Sequence, residues 1–286
     1  MFEGWHLLTN KNGKEIIWIV KGYEHPKEGF ISIPYRISGN RIKSDEFSNY
    51  IPKEYYRYLD CVGRDVPVVR KDDILNYYDP KEMYFSKKNS LPEKINDLIK
   101  YLNPEYVGLI GSYAFGFQVK HSDVDLLLYG NNREIYEKLI ELRNSEFISN
   151  CINRYNKVSD TMSYNSYKIL SELKVLDSCY MNIPYTIRIL RQIYNKECVS
   201  NYKTLNIFKG EIEIYDNNEN YLVPSIYLAY NENYGKIEIM TWHTRYSELP
   251  LGKYIIEGII QLDLKRNKLI IVPDLGGRID PIKIWA

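Results

Sequence analysis

The sequence reads Val107-Gly108-Leu109-Ile110-Gly111-Ser112-Tyr113-Ala114-Phe115-Gly116 and then, after a short gap, Ser122-Asp123-Val124-Asp125-Leu126-Leu127-Leu128-Tyr129. In the first stretch an apolar run ends in Gly-Ser, which predicts a buried strand that turns sharply into a loop or helix start. A glycine there lets the backbone approach a phosphate closely, and Ser112 adds a hydroxyl and an N–H for the same anion. The first stretch therefore predicts a phosphate-binding turn at Gly111 and Ser112.

The second stretch predicts another strand, on which apolar residues alternate with Asp123 and Asp125. Residues two apart on a strand share one face, and their backbones lie about 6 to 7 Å apart. From that distance both carboxylates can converge on Mg²⁺, which can neutralise a triphosphate and activate an attacking oxygen. The alternative interpretation is an ordinary acidic strand end, because surface turns and helix starts often contain Asp-x-Asp.

Together the two stretches resemble the signature of the nucleotidyltransferase superfamily that includes DNA polymerase β. The matching positions are Gly111, Ser112, Ala114, Gly116, Ser122, Asp123, Asp125 and Leu126. The resemblance implies an α+β fold with a nucleotidyltransferase-like mixed sheet and flanking helices. It also implies catalytic, metal-binding Asp123 and Asp125 with Mg²⁺ or Mn²⁺, and a nucleoside triphosphate held at Gly111, Ser112 and Ser122. Small members commonly carry Arg where this chain has Phe115.

More loosely, the chain resembles an uncharacterised group of archaeal predicted nucleotidyltransferases. In that group a β-rich segment with Gly-x-x-His-Pro precedes the signature, and here the motif is Gly22-Tyr23-Glu24-His25-Pro26. Another β-rich segment follows the signature. This wider resemblance covers most of the chain and implies no particular substrate.

Composition limits the other possibilities. The chain has 286 residues, 44% apolar content and a formal net charge of +1, so a sizeable core is expected and no global field attracts nucleic acid. No window is long and apolar enough for a membrane span, and no secretory leader is evident, so we expect a cytoplasmic protein without a membrane partner. The four cysteines lack zinc-site spacing and are expected to be reduced and buried; they are Cys61, Cys151, Cys179 and Cys198.

Residues 1–88 are interpreted as an N-terminal β-rich domain with an irregular linker. Strands are predicted on both sides of a turn at Lys11–Lys14, and residues 38–88 are expected to be irregular with short helices. This linker carries basic residues shortly before the signature, namely Arg64, Arg70, Lys71, Lys87 and Lys88. They could be a solvated face, or they could supply charge for a nucleotide or RNA partner.

Residues 89–200 are interpreted as the nucleotidyltransferase-like domain. Ser90 and Glu93 predict a capping box, Asn131-Asn132 predicts the cap of a second helix, and a third helix is expected over 163–176. The alternating strand 183–190 has Arg188 where the superfamily usually has a third carboxylate. Glu213 and Glu238 lie in apolar-acid-apolar patterns and are the substitutes considered, with Glu213 preferred because it could join the same sheet.

Residues 201–286 are interpreted as a C-terminal β domain. About five strands with turn residues between them predict a small barrel or sandwich, similar in size to OB-like barrels that bind single-stranded nucleic acid. Fold alone does not establish that function.

Two functions remain open from the sequence. The first is a metal-dependent enzyme that moves a nucleoside monophosphate from a nucleoside triphosphate to RNA, a protein or a small molecule. The second is a non-catalytic module on the same fold that binds RNA, single-stranded nucleic acid or protein, which Phe115 and Arg188 favour. Oligomeric state cannot be inferred.

Overall fold

The computed structural model describes residues 1–11, 13–42, 50–120, 122–150, 155, 162–274 and 276–285. Within these ranges the chain combines several β-sheets with few helices, so the predicted α+β class is confirmed. No helix in the same ranges is both long enough and apolar enough to cross a membrane.

The N-terminal region forms a twisted sheet whose strand order is β6-β7-β4-β2-β1-β8, with β5 attached to β4. The strands of this region are β1 (His6–Lys11), β2 (Lys14–Val20), β3 (Glu24–His25), β4 (Gly29–Ile37), β5 (Asn40–Arg41), β6 (Tyr56–Leu59), β7 (Arg64–Arg70) and β8 (Ile74–Tyr78). Strands β1 and β2 form the predicted hairpin, in which Lys11 lies opposite Lys14.

The expectation of irregular structure over residues 38–88 was wrong for β6, β7 and β8, which complete this sheet, whereas the short helix Pro80–Lys87 agrees with it. Pro67 had favoured irregular structure, because proline has no N–H to donate to a neighbouring strand. In β7, however, Pro67 pairs only with Tyr56 of β6, while pairing with β4 begins at Val68. Val66, Val68 and Val69 are buried, so the core contribution of this strand outweighs the missing N–H of the proline.

The middle region alternates helices and strands. The helices are α1 (Pro80–Lys87), α2 (Glu93–Leu102), α3 (Gly111–Phe115), α4 (Asn132–Asn144) and α5 (Tyr164–Leu173), and the strands are β9 (Tyr106–Ile110), β10 (Val124–Tyr129), β11 (Ile148–Ser149), β12 (Asp177–Tyr180) and β13 (Ile183–Leu190). The sheet has the order β11-β12-β13-β10-β9 and is mixed, since β10 runs parallel to β13 and antiparallel to β9. Apolar residues of α2 and α4 pack on one face, among them Ile95, Leu98, Ile135 and Leu139.

The predicted helix starts were only approximately right. Helix α2 has Pro92 at its N-cap, and the Ser90 hydroxyl instead donates to the Lys87 carbonyl at 2.7 Å. Helix α4 has Asn131 at its N-cap, as predicted, and the side chain of Asn132 accepts the Gly130 N–H at 3.1 Å and so closes the preceding turn. Helix α5 begins after Ser163, its N-cap, close to the expected start, but it ends at Leu173. Residues after Leu173 enter β12, which the sequence interpretation missed.

The C-terminal region contains β14 (Lys196–Glu197), β15 (Tyr202–Glu219), β16 (Leu222–Val223), β17 (Ser225–Asn231), β18 (Gly235–Thr241), β19 (Gly252–Asp263), β20 (Lys268–Val272) and β21 (Arg278–Ile284). Five of them pair in a closed ring, β15-β17-β18-β20-β19 and back to β15, and β21 pairs outside on β19. Large side chains fill the ring, including Tyr227, Ile239, Tyr254 and Ile256. The region is therefore a small barrel. Strands β14 and β16 pair instead with β3 and β13 and join the three regions.

Cys61, Cys179 and Cys198 are not reduced, contrary to the expectation. A disulfide joins Cys61 to Cys198 across 137 positions of sequence, and Cys179 is also disulfide-bonded. Cys151 lies outside the described residues. The prediction failed because it rested on spacing along the chain, whereas Cys61 follows β6 and Cys198 follows β14, two strands that only the folded chain brings together.

Candidate active site

Strand β10 has one apolar face and one that carries both aspartates. Val124, Leu126 and Leu128 are completely buried against the helices. Asp123, immediately before the strand, and Asp125, within it, are half-buried on the opposite face. Asp125 lies directly across from Ile110, the last residue of β9. The predicted turn and the predicted aspartate strand therefore meet at one end of the sheet.

Gly111 lies so close to Asp125 that a side chain at this position would force the Asp125 carboxylate to move. Its φ is +70°, in the left-handed region that side chains rarely adopt, and a Cβ on Gly111 would overlap the Asp125 Oδ2 atom. The backbone at the start of α3 therefore lies directly against the carboxylate. A ligand held by Asp125 would also meet the turn that begins with Gly111 and Ser112.

The segment between this turn and the aspartates is held by backbone and hydroxyl hydrogen bonds. Gly116 ends α3 with φ +73°, and the Phe117 N–H donates to the Ser112 carbonyl at 2.9 Å. The Ser122 Oγ accepts the Val119 N–H at 2.8 Å, and the Ser122 N–H donates back to the Val119 carbonyl at 2.8 Å. Ser122, predicted to contact the nucleotide, thus closes the turn that leads into Asp123.

Phe115, which stands where small superfamily members carry Arg, belongs to an aromatic cluster. Its ring lies 4.9 Å from His6 and 5.2 Å from Tyr78, measured between centroids, and Tyr35 and Phe117 complete the group. Burial lowers the pKa of His6 to about 3, so His6 is neutral at physiological pH. This position therefore contributes packing with the N-terminal sheet and no positive charge.

The strand register corrects the prediction about the third carboxylate. On β13, Thr186 lies beside Asp125, whereas Arg188 lies two pairs further along, beside Leu127. The position next to Asp125 therefore holds a threonine, and the sequence interpretation compared the wrong residue. Arg188 donates through Nη2 to the Glu3 carboxylate at 2.8 Å and to the Trp242 carbonyl at 3.2 Å.

Neither proposed substitute joins the sheet that contains β10. Glu213 lies on β15 in the barrel, where its strand partners are Tyr230 and Lys253. Glu238 is buried on β18 and forms ion pairs with Lys268 at 2.6 Å and Arg266 at 2.9 Å. The preference for Glu213 was wrong, because it rested on proximity along the sequence.

Asp177 is an acidic residue of this sheet face that the sequence interpretation missed. On β12 it pairs with Thr186, whose hydroxyl donates to its carboxylate at 3.3 Å. Asp125, Thr186 and Asp177 thus form one row across three strands. Strand spacing places Asp177 about 10 Å from Asp125, too far to share one small cation directly. The apolar-apolar-acid pattern of Val175, Leu176 and Asp177 was the available signal, but it was assigned to the end of a helix.

The donor chemistry of Asp123 and Asp125 fits a hard divalent cation. Magnesium is usually bound by one or two carboxylates together with water and substrate phosphates, so two aspartates on one strand face suffice as protein ligands. In the described part of the chain, no three side chains of the His, Cys, Asp or Glu type are grouped closely enough to hold a metal alone. Substrate oxygens would have to complete such a site.

Comparison with known proteins gives one result for this region. A family model described as the central palm domain of poly(A) RNA polymerase, mitochondrial-like, matches residues 70–177. The match contains Gly111, Ser112, Asp123 and Asp125 and ends at Asp177. No curated protein and no solved structure matches the chain. Residues 70–177 are therefore similar to a nucleotidyltransferase palm, and nucleotidyl transfer is the chemistry that this similarity suggests.

Proposed function

We propose that the protein is a metal-dependent nucleotidyltransferase that moves a nucleoside monophosphate from a nucleoside triphosphate to an acceptor. The contact between Gly111 and the Asp125 carboxylate carries this proposal, because it joins a phosphate-type turn to an acidic strand end. The palm-type family match supports it independently.

Each site residue has a distinct role in this proposal. Asp123 and Asp125 hold Mg²⁺ or Mn²⁺, and the backbone at Gly111 and Ser112 orients the triphosphate beside them. When bound, the ion offsets negative charge on the triphosphate and on the departing pyrophosphate. Ser122 shapes the turn before Asp123 and so sets the position of that carboxylate.

RNA or another single-stranded nucleic acid is the acceptor that we propose. The matched family is described as poly(A) RNA polymerase, and small closed barrels are a common platform for single-stranded nucleic acid. A protein hydroxyl or a small molecule would use the same site residues, so the site alone does not distinguish the acceptors. Incubation with labelled nucleotide and each acceptor class in turn shows which acceptor becomes labelled.

A non-catalytic binding module is the second candidate. Thr186 beside Asp125, and Phe115 packed among aromatic rings, are the observations that favour it. Such a module would bind nucleic acid or protein without Mg²⁺-dependent affinity for a triphosphate.

Asp125→Asn tests the proposal. The change preserves size and hydrogen bonding but removes the charge on which a hard cation depends, so metal-dependent transfer and metal-dependent triphosphate binding should collapse. The melting temperature without metal should stay equal or rise, because one of two like charges on the same strand face is removed. Calorimetry with a non-hydrolysable triphosphate and Mg²⁺, together with thermal unfolding, measures both effects.

Asp97→Asn is the matched control, since Asp97 is exposed on α2 and forms a surface ion pair across one helical turn with Lys100. It should leave both readouts unchanged. If Asp125→Asn clearly lowered the melting temperature and left triphosphate binding intact, the aspartates would be structural and the binding-module reading would replace the enzyme.

A further inference from the structure

Two arginines face each other across the hairpin that β4 and β5 form. Arg36 on β4 pairs directly with Arg41 on β5, so their side chains emerge on the same face with Cβ atoms about 5 Å apart. Neither arginine forms an ion pair in the described part of the chain. Like charges directly opposite on paired strands weaken the pairing, so this hairpin concentrates positive charge at a cost to its own stability.

The guanidinium of Arg36 is held in a fixed position. Its Cζ lies 3.9 Å from the centroid of the Phe117 ring and 5.4 Å from that of Tyr35, and Nη1 donates to the Gly39 carbonyl at 2.6 Å. Nε is a buried donor that has no acceptor among the described residues, so the arrangement is not optimised for stability alone. A guanidinium that is already fixed loses little freedom when it binds a further group.

Phe117 connects this arginine pair to the candidate active site. It is 42% exposed, and its N–H donates to the Ser112 carbonyl at 2.9 Å, in the turn predicted to bind phosphate. The chain then continues from Phe117 directly into the turn before Asp123. We refer to Arg36, Arg41 and Phe117 as the basic patch. Aromatic rings and guanidinium planes are the surfaces on which unpaired bases stack.

A groove on the barrel has exposed aromatic rings but the opposite charge balance. It has a volume of about 500 Å³ and is lined by Tyr230 and Tyr234, which are 47% and 49% exposed. Its charged lining residues are three glutamates and two lysines, namely Glu211, Glu213, Glu232, Lys209 and Lys253. Excess carboxylate repels phosphate. The basic patch is therefore better suited to a nucleic acid than this groove.

We propose that the basic patch binds single-stranded RNA as the acceptor, with a base stacked on the Arg36–Phe117 pair and backbone phosphate between the two arginines. That the RNA is an acceptor rests on the proposed function, whereas the binding site rests on the patch itself. An RNA strand held there lies against the segment that leads into Asp123. The N-terminal sheet then contributes acceptor binding, while the turn at Gly111 and Ser112 is left for the triphosphate.

Fluorescence anisotropy with a labelled single-stranded oligoadenylate, in EDTA, tests the patch without metal or transfer. Wild-type protein should bind, and more weakly as salt increases. In Arg41→Met the affinity should fall about fivefold near 0.1 M salt, because one phosphate contact is lost, and the slope of log affinity against log salt should shrink by about 0.7. In Phe117→Leu the affinity should fall about tenfold with the slope unchanged, because stacking is not an ionic contact.

Two matched controls separate these effects from general changes in charge and surface. Arg57→Met removes one charge from the same sheet, but Arg57 is paired with Glu28 at 3.1 Å. Tyr234→Leu removes a similarly exposed ring from the barrel groove. Both should bind oligoadenylate as the wild type does. Thermal unfolding shows whether each variant is folded, and Arg41 is exposed, so Arg41→Met provides the test even if Phe117→Leu does not fold.

Three results would overturn the proposal. The first is wild-type protein that does not bind oligoadenylate, and the second is an equal loss in Arg41→Met and Arg57→Met. The third is an Arg41→Met variant that keeps oligoadenylate binding but loses affinity for a non-hydrolysable triphosphate with Mg²⁺, which would assign the patch to the nucleotide. Asp125→Asn should bind oligoadenylate as the wild type does. Failure of the enzyme proposal therefore leaves this binding intact, whereas failure of the patch abolishes the binding and leaves transfer to be measured separately.

Discussion

The two faces of β10 belong to one short strand but differ in what surrounds them. On the helix side, Val124, Leu126 and Leu128 are completely buried among apolar side chains of α2 and α4. On the other side, Asp123 and Asp125 are half-buried, and the same face continues towards Thr186 and Arg188. The hydrophobic periodicity of the sequence alone predicts which residues of β10 face the helices. The surroundings of the other face depend on which strands and segments cover it.

The difference shows where stability and function separate in this sheet. Apolar packing on the helix face tolerates no polar group and makes the sheet a rigid support. The opposite face carries the half-buried Asp123 and Asp125, with Gly111 against one carboxylate, and it also holds the buried Glu3, which accepts from Lys21 and Arg188. Changes on the first face should therefore act on folding, and changes on the second should act mainly on ligands.

The largest effect on folding is expected for Leu126→Ala. The side chain is 0% exposed in the core between the sheet and the helices, so its truncation leaves a cavity and should lower the free energy of unfolding by about 3 to 5 kcal/mol. Urea denaturation measures this change. Leu75→Ala is the control, because Leu75 is 65% exposed and should cost little. Equal costs at both positions would contradict the description of the helix face as the main core.

Gly111→Ala should have an intermediate effect and is the sharpest test of the second face. The substitution meets a positive φ and overlaps Asp125, so we expect a loss of about 2 to 3 kcal/mol together with weaker triphosphate binding. Gly116→Ala is closely matched, since Gly116 has φ +73° but no atom within 4 Å of the added carbon. It should cost about 1 kcal/mol for the backbone alone. If both variants lost the same free energy of unfolding and bound triphosphate as the wild type does, the close contact between Gly111 and Asp125 would not matter for the site.

The smallest effect concerns the pH dependence of stability near Phe115. His6 has a folded-state pKa of about 3, below its ordinary value, so it stays neutral while the unfolded chain takes up a proton. The contribution of neutral His6 to the free energy of unfolding is complete above the pKa that this histidine has in the unfolded chain. It is lost as the pH falls towards the pKa that His6 has in the folded protein. Between pH 7.5 and 5.5, wild-type protein should lose about 1.4 kcal/mol through this group.

Over the same pH interval, the free energy of unfolding of His6→Phe should fall by about 1.4 kcal/mol less than that of the wild type. His25 and His243 titrate in both proteins, so their effects cancel in the comparison. Urea denaturation at the two pH values provides the measurement. Parallel losses in variant and wild type would mean that His6 is not buried as a neutral group beside Phe115.

The sequence was sufficient for features set by local pattern. The alternation around Asp123 and Asp125, the Gly-Ser turn and the apolar stripe of α2 each have a period that one segment alone determines. The coarse α+β class follows from them. The same reasoning found the hairpin of β1 and β2, because its turn residues are adjacent in sequence.

Features that depend on pairing between distant segments were not predictable in this way. Thr186 rather than Arg188 lies beside Asp125 because of the β10–β13 register, and a strand pattern carries no information about register with a distant partner. Asp177 was missed because the residues before it also fit the end of a helix. The ion pairs of Glu3 with Lys21 and Arg188 join residues that are far apart in sequence, so only the folded chain reveals them.

The disulfide between Cys61 and Cys198 has a consequence for the covalent topology of the chain. Everything from residue 61 to residue 198, including both aspartates, lies within one closed covalent ring, and the two ends of the chain leave it at a single point. A protease that cuts once inside the ring, for example in the exposed turn near Val119, would leave one connected molecule. The two fragments would separate on a denaturing gel only after a reductant is added.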